Sequence, residues 1–313
     1  MYASRFSARA ILLPVLVVVA IIGFVLGHRG SRAAAPQKML TASVASVLLD
    51  YPSSWQPVAS PPAIPALTIA RELALAPGGN PAHAGLLAGV LPGGEPTPLP
   101  KAFVALFQTP PRAEIVNLLG NQAYRYARLS IPGFPHELTI YAIPNPGGEA
   151  TGLACYSSAG FSSAMRTCEH IVSTLTLVGQ SQSYDLTPNP QYARALSAAV
   201  TALDQQRTAL RRAMSQLAPS LALQHAATTL AGVFAHTAES LSPLEPALAV
   251  GRAQAELAAS LAQARDAYTA FAAAVAAGGP EGVTAARQRV YQAEAAINDA
   301  LEAFALLGYT QSS

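Results

Sequence analysis

Three textures of hydrophobic and polar positions divide the chain. Residues 11–27, ILLPVLVVVAIIGFVLG, form an unbroken apolar run without a charge or an amide. As a helix this run spans about 25 Å, enough to predict a membrane-crossing segment once Arg9 and Arg29 reach toward the interfaces. From Val44 to Leu177 the pattern changes to brief β-rich runs broken by Pro and Gly: LTIARELALAP, AGLLAGVLP, EIVNLLGNQAYRYARLSIPG and ELTIYAIPNPGGEATGLACYSS. The pair Gly120-Asn121 separates two strand-like runs, and Pro-Asn-Pro-Gly-Gly at 144–148 does the same with a longer loop, so two hairpins and an antiparallel sheet are expected. PKAFVALFQT predicts a short helix, and SSAMRTCEHIVSTLTL a closing helix, capped by Ser162 or Ser163, that runs into a last extended segment.

A third texture follows the polar segment GQSQSYDLTPNP. Apolar residues recur at spacings of three and four in four stretches. Tyr192, Leu196, Val200, Leu203, Leu210, Met214 and Leu217 mark the first, interrupted by Arg207 where an apolar residue is due. Leu223, Leu230, Phe234 and Leu241 mark the second; Leu244, Leu248, Leu261, Tyr268, Phe271 and Val275 the third; Val283, Ala286, Val290, Ala293, Ile297, Leu301 and Phe304 the fourth. The breaks carry stop signals, APS at 218–220, SPLEP at 242–246 and GGP at 278–280. Short connections between long helices predict antiparallel neighbours, and alanines beside the larger residues favour the helix. Pro188 and Pro190 in the preceding segment read as a domain boundary, with a separate core expected on each side.

The opening LLDYPSSWQPV, residues 48–58, and the ending ACYSSAGFSSAMRTCEHIVSTLTL, residues 154–177, resemble the first strand and the last strand with closing helix of PsbP-like domains, a group that includes LpqN-type envelope lipoproteins. The resemblance covers residues 44–178 and implies an α/β/α sandwich around an antiparallel sheet, in a group that serves for binding and assembly and carries no catalytic site. A lipid-acceptor cysteine after the apolar run is missing here, and the run itself takes over the tether. The expected fold class is therefore α+β: a single N-terminal transmembrane helix, a PsbP-like α/β/α sandwich with an antiparallel sheet, then an antiparallel four-helix bundle. The expected division is a cytoplasmic tail at 1–10, an anchor at 11–27, a linker at 28–43, the α+β domain at 44–178, a linker at 179–190, the Ala-rich bundle at 191–309 and a tail at 310–313.

Charge and chemistry narrow the function. A formal net charge of +2 in 313 residues offers no field to recruit nucleic acid. The two cysteines, Cys155 and Cys168, are not spaced as a C-x-x-C redox pair, and Cys168 has only Glu169 and His170 beside it as further metal ligands. Twelve intervening residues leave room for a strand end to fold back on a helix, so a structural disulfide is the favoured reading, with free buried thiols, metal and redox roles as its rivals. The disulfide in turn favours an oxidising compartment, because the positive-inside balance of Arg5 and Arg9 against Arg29, Arg32 and Lys38 is close to a tie. Cleavage of the apolar run after Ala35 is the rival to an uncleaved anchor; the length of the run and Pro36 disfavour it.

His236 and Glu239 share a helix face, the minimum for a metal pair, but no second copy of that pair exists for a bundle metal site, and no cofactor motif is found. GFSSA at 160–164 lacks the last glycine of a nucleophile elbow, and the chain has no P-loop and no G-x-G-x-x-G. Tyr124, Tyr126 and Arg128 alternate onto one strand face with Tyr141 as a possible neighbour, which reads either as a partner-binding face or as core under a helix. The favoured function is a non-catalytic, single-pass binding or scaffold protein of the bacterial cytoplasmic membrane, with the bulk of the chain extracytoplasmic. Its partners would be membrane lipid, through the anchor, and an envelope protein. An envelope hydrolase with dispersed active-site residues, or a cytoplasm-facing assembly factor, is the alternative.

Overall fold

The computed structural model describes residues 38–44, 46–145, 148–178, 184–215 and 221–309. Among the described residues ten strands come first: β1 (Met39–Val44), β2 (Val47–Pro52), β3 (Trp55–Pro57), β4 (Ala70–Pro77), β5 (Ala84–Leu91), β6 (Glu114–Leu118), β7 (Asn121–Ile131), β8 (Phe134–Pro144), β9 (Ala150–Ser157) and β10 (Thr176–Leu177). Two helices interrupt them, the single turn α1 (Lys101–Val104) and α2 (Ser162–Ser173). Four long helices follow: α3 (Pro190–Ser215), α4 (Leu221–Leu241), α5 (Gly251–Ala277) and α6 (Pro280–Leu306). The protein is thus α+β with antiparallel sheets. Among the described residues no helix is long and apolar enough to cross a membrane, and the predicted span at 11–27 lies outside them.

Seven strands form the main sheet in the order β3-β4-β5-β9-β8-β7-β6, every neighbouring pair antiparallel. A small sheet, β1-β2-β10, is separate from it. Every residue of β5 and β9 is buried, because the main sheet is covered on both faces. Leu86, Ala88, Tyr141, Leu153 and Cys155 turn toward α2 and the small sheet, packing with Met165, Ile171 and Val172 and with Val47 and Leu49. Leu87, Tyr124, Tyr126, Leu138, Ile140 and Ala154 turn the other way, into one hydrophobic cluster with Leu230, Phe234, Leu261, Ile297 and Phe304 of the helices. At Gly85 a β-carbon would collide with the ring and hydroxyl of Tyr156, its cross-strand partner, so only glycine lets that ring lie over the strand.

The expected pair of independent cores is corrected by this cluster. The segment read as a linker contributes to it: Leu186 is buried, and its N–H donates to Gln122 Oε1 at 2.6 Å. Tyr126 Oη donates to the carbonyl of Leu306 at 3.0 Å, joining β7 of the sheet to the end of α6. Tyr192, Phe304 and Tyr309 stack around the same junction. Residues 40–313 form one compact unit. The physical reason is that a two-faced apolar sheet needs a cover on each face, and α2 with the small sheet supplies only one.

Helix limits follow the local signals closely. Gly278 closes α5 in the left-handed conformation at φ 72°, and Pro280 opens α6. Before α5, a 3-10 turn at Leu248–Val250 replaces the first turn expected from Leu244. Ser162 and Ser163 do not cap α2: the N-cap is Phe161, with no side-chain hydrogen bond. Its ring stacks instead on His83 at 4.5 Å, which holds the helix start by packing.

The β6–β7 hairpin turns on Leu119 and Gly120, both at positive φ (48° and 87°), with Leu118 paired to Asn121. Two left-handed residues match the twist of the flanking strands, but leucine pays for that backbone and stands 67% exposed. Asn117 Oδ1 accepts the Gly120 N–H at 2.7 Å and steadies the turn. We expect Leu119→Asn to stabilise the protein by about 1 kcal/mol, read as a higher midpoint of chemical denaturation with unchanged slope. Leu261 is fully buried in the shared cluster. Leu261→Asp should cost about 4 kcal/mol or more, and hydrogen exchange should accelerate in the strands around Tyr126 as well as in all four long helices; loss confined to the helices would contradict a shared core.

Candidate functional site

Two charged residues stand on helix faces that otherwise face the core. Arg207 breaks the apolar stripe of α3, and Glu294 lies four residues after Val290 and three before Ile297 on α6. Glu294 is 5% exposed. A carboxylate this deep has to be hydrogen-bonded and neutralised. Tyr268 Oη donates to its Oε1 at 2.7 Å, and Arg211 Nη1 donates to its Oε2 at 3.4 Å. Arg207 Nη1 approaches the same oxygen at 3.4 Å as an ion contact without a hydrogen bond, while its Nη2 donates to Asn298 Oδ1 at 3.1 Å and its Nε lies 3.1 Å from Asp204 Oδ1. Burial first, and Glu294 second, push the phenol of Tyr268 far above its ordinary range, so this hydroxyl stays a proton donor. Phe234 stacks on the Tyr268 ring at 5.5 Å and fixes its plane.

Over this network opens a cleft of about 570 Å³. On α3, Thr208, Arg211, Arg212 and Ser215 line it at one-turn spacing; on α6, Arg287, Val290 and Tyr291 do the same. Tyr268 and Phe271 of α5, almost fully buried, form its floor. Met214 and Leu223 add aliphatic wall from α3 and α4. Among the described residues its lining holds three arginines and no carboxylate. Arg211 shares Glu294 with Arg207, whereas Arg212 and Arg287 are exposed and make no ion pair among the described residues. The arrangement is a positively charged rim over an aromatic and aliphatic floor.

The residues singled out in the sequence are placed as follows. Cys155 on β9 and Cys168 on α2 form a disulfide, with Cα atoms 5.8 Å apart and both residues buried between sheet and helix. Tyr124 and Tyr126 are fully buried beneath the long helices. Tyr141 lies on the opposite face, next to Arg125 in the register. There Arg125 donates to Glu114 at 2.8 Å, to Glu169 at 2.9 Å and to the Tyr141 hydroxyl at 3.3 Å, tying β6, β7 and β8 to α2. Arg128 is exposed at φ 54°, in a bulge where the β7–β8 register slips between Tyr126 and Leu129. That extra residue breaks the alternation, so the four residues do not share a face.

Among the histidines, His225, His236 and Glu239 sit on exposed helix faces, and no group of three metal-ligating side chains occurs among the described residues. His136 Nδ1 lies 2.9 Å from Ser158 Oγ, a Ser–His contact that sequence reasoning missed because the two residues belong to different strand ends. Burial, and then the charge of His83, lower the His136 pKa. No carboxylate orients the His136 ring among the described residues, so the third member of a hydrolytic triad is lacking. Sequence reasoning finds only Arg207 as a fault in an apolar stripe and misses Glu294, whose signal is a carboxylate between Val290 and Ile297; pairing the two across helices α3 and α6 needed the fold.

Tyr268→Phe should cost about 2 kcal/mol, the worth of a hydrogen bond to a charged acceptor. Glu294→Leu should cost more, about 3 kcal/mol, by leaving the Tyr268 hydroxyl and Arg211 without their acceptor and the largely buried Arg207 without one of its two carboxylates. Thermal denaturation of both variants checks the order, and a Glu294→Leu variant as stable as the parent would show that the network contributes nothing. No family model and no curated protein matches this chain.

Proposed function

We propose that this protein is a non-catalytic binding or scaffold protein of a bacterial cell envelope, anchored in the cytoplasmic membrane by residues 11–27 with the bulk of the chain outside the cytoplasm. In this reading residues 44–178 are a PsbP-like α/β/α domain and α3–α6 an antiparallel four-helix bundle. The observation that carries it is the cleft, whose arginine rim and apolar floor offer binding groups and no nucleophile paired with a base. Helices over both faces of an antiparallel sheet support the three-layer assignment. The buried Cys155–Cys168 bond supports an oxidising compartment, where such disulfides form and persist. Closing this loop contributes about 3 kcal/mol in the chain-entropy model.

The test uses the full chain in bacterial cells. A maleimide polymer applied to denatured, unreduced protein should add nothing, and after reduction should add two labels, one each at Cys155 and Cys168. Protease added to spheroplasts should remove the region beyond residue 40. Free thiols together with protection from protease would place the chain in the cytoplasm and overturn the reading. The hydrolase alternative rests on Ser158 and His136. A serine-directed fluorophosphonate should leave the protein unlabelled, and labelling abolished by Ser158→Ala would favour that alternative.

A further inference from the structure

We propose that the cleft between α3 and α6 binds an amphipathic anion, one acidic headgroup of carboxylate or phosphate type held by Arg212 and Arg287, with its hydrocarbon tail laid over Phe271, Val290 and Leu223. The inference rests on the reading of the protein as a binding protein and names the ligand class of that site.

Charge sets the headgroup. Around the cleft, Arg207, Arg211, Arg212 and Arg287 face Glu294 and Asp204, an excess of two positive charges that a mono- or dianion neutralises. Both unpaired cations are arginines, whose planar fork matches the two oxygens of a carboxylate or phosphate. Shape and polarity set the rest. A site for a small inorganic anion would close polar donors around it, whereas here Met214, Leu223, Phe271 and Val290 form apolar wall and floor beside the arginines. Tyr291, 56% exposed at the rim, is one of few large apolar side chains on the described surface and extends the greasy wall outward. A cleft of this volume suits a single-tailed small molecule.

The experiment is calorimetric titration of the full chain held in zwitterionic phosphocholine nanodiscs, with protein-free nanodiscs subtracted. The probes are decanoate, octyl phosphate, octanol and inorganic phosphate, each below its aggregation concentration. Saturable binding of one decanoate or octyl phosphate per chain is expected, with octanol and inorganic phosphate weaker by about tenfold or more. The stronger of the two acids tells a fatty carboxylate from a phospholipid-type headgroup. Arg212→Gln combined with Arg287→Gln should weaken the preferred acid by about tenfold or more, while Arg289→Gln, an exposed α6 arginine outside the cleft, should leave it unchanged. Both substituted arginines are exposed, so the double variant should keep its melting temperature, and protection of Arg212 and Arg287 from phenylglyoxal by the bound acid gives a readout that needs no variant. Inorganic phosphate binding as tightly as octyl phosphate would reduce the site to a simple anion site and overturn the proposal. So would octanol binding as tightly as the acids, or a double variant that binds like the parent. Failure of every probe would remove this ligand class, whereas the envelope reading stands or falls separately on thiol state and protease access.

Discussion

A sheet that is apolar on both faces cannot be left half covered, and most of the architecture follows from that constraint. Strands β5 and β9 bury every residue, so one element on each side has to exclude water from them. On one side α2 is stapled to β9 by Cys155–Cys168 and pinned by Arg125 to Glu169, with the small sheet completing the cover. On the other side the cover is the set of four long helices, which the chain supplies only after residue 190. The helices therefore serve two masters: their apolar stripes meet one another and also meet the sheet. Small buried residues such as Ala227, Ala253, Ala264 and Ala293 let them approach closely enough to do both.

What the sequence made legible was local. Helix ends at Gly278 and Pro280, the hairpin near Gly120 and the pairing of the two cysteines all rest on interactions within a dozen or so residues, and each was readable. What it hid was long-range. A tyrosine on a strand looks the same whether it faces a partner or a helix 180 residues away, and Tyr126 reaches Leu306 across that separation. Alternation assigned Tyr124, Tyr126 and Arg128 to one face because a bulge leaves no trace in a period-two pattern. A polar, proline-bearing segment looked like a boundary, yet Leu186 within it is buried, one apolar residue having more effect than its polar neighbours.

The cleft shows how departures from a pattern can inform as much as the pattern does. Arg207 and Glu294 each cost desolvation on a face that would pack more simply with leucine. Together with Tyr268 and Arg211 they hold α3, α5 and α6 in a fixed relation beneath the rim arginines. This polar network beneath the apolar floor ties together α3 and α6, the helices that carry Arg212 and Arg287.

The bond from Tyr126 to the carbonyl of Leu306 also fixes an order of events. A ribosome releases the sheet strands long before α6, and the face carrying Tyr124, Tyr126 and Ile140 stays without its full cover until that helix has emerged. During that interval the growing polypeptide displays a broad oily surface beside exposed strand edges. Vectorial synthesis thus leaves the sheet dependent on a helix made long after it, and a message truncated before α6 yields a chain that a quality-control system would recognise by that uncovered sheet.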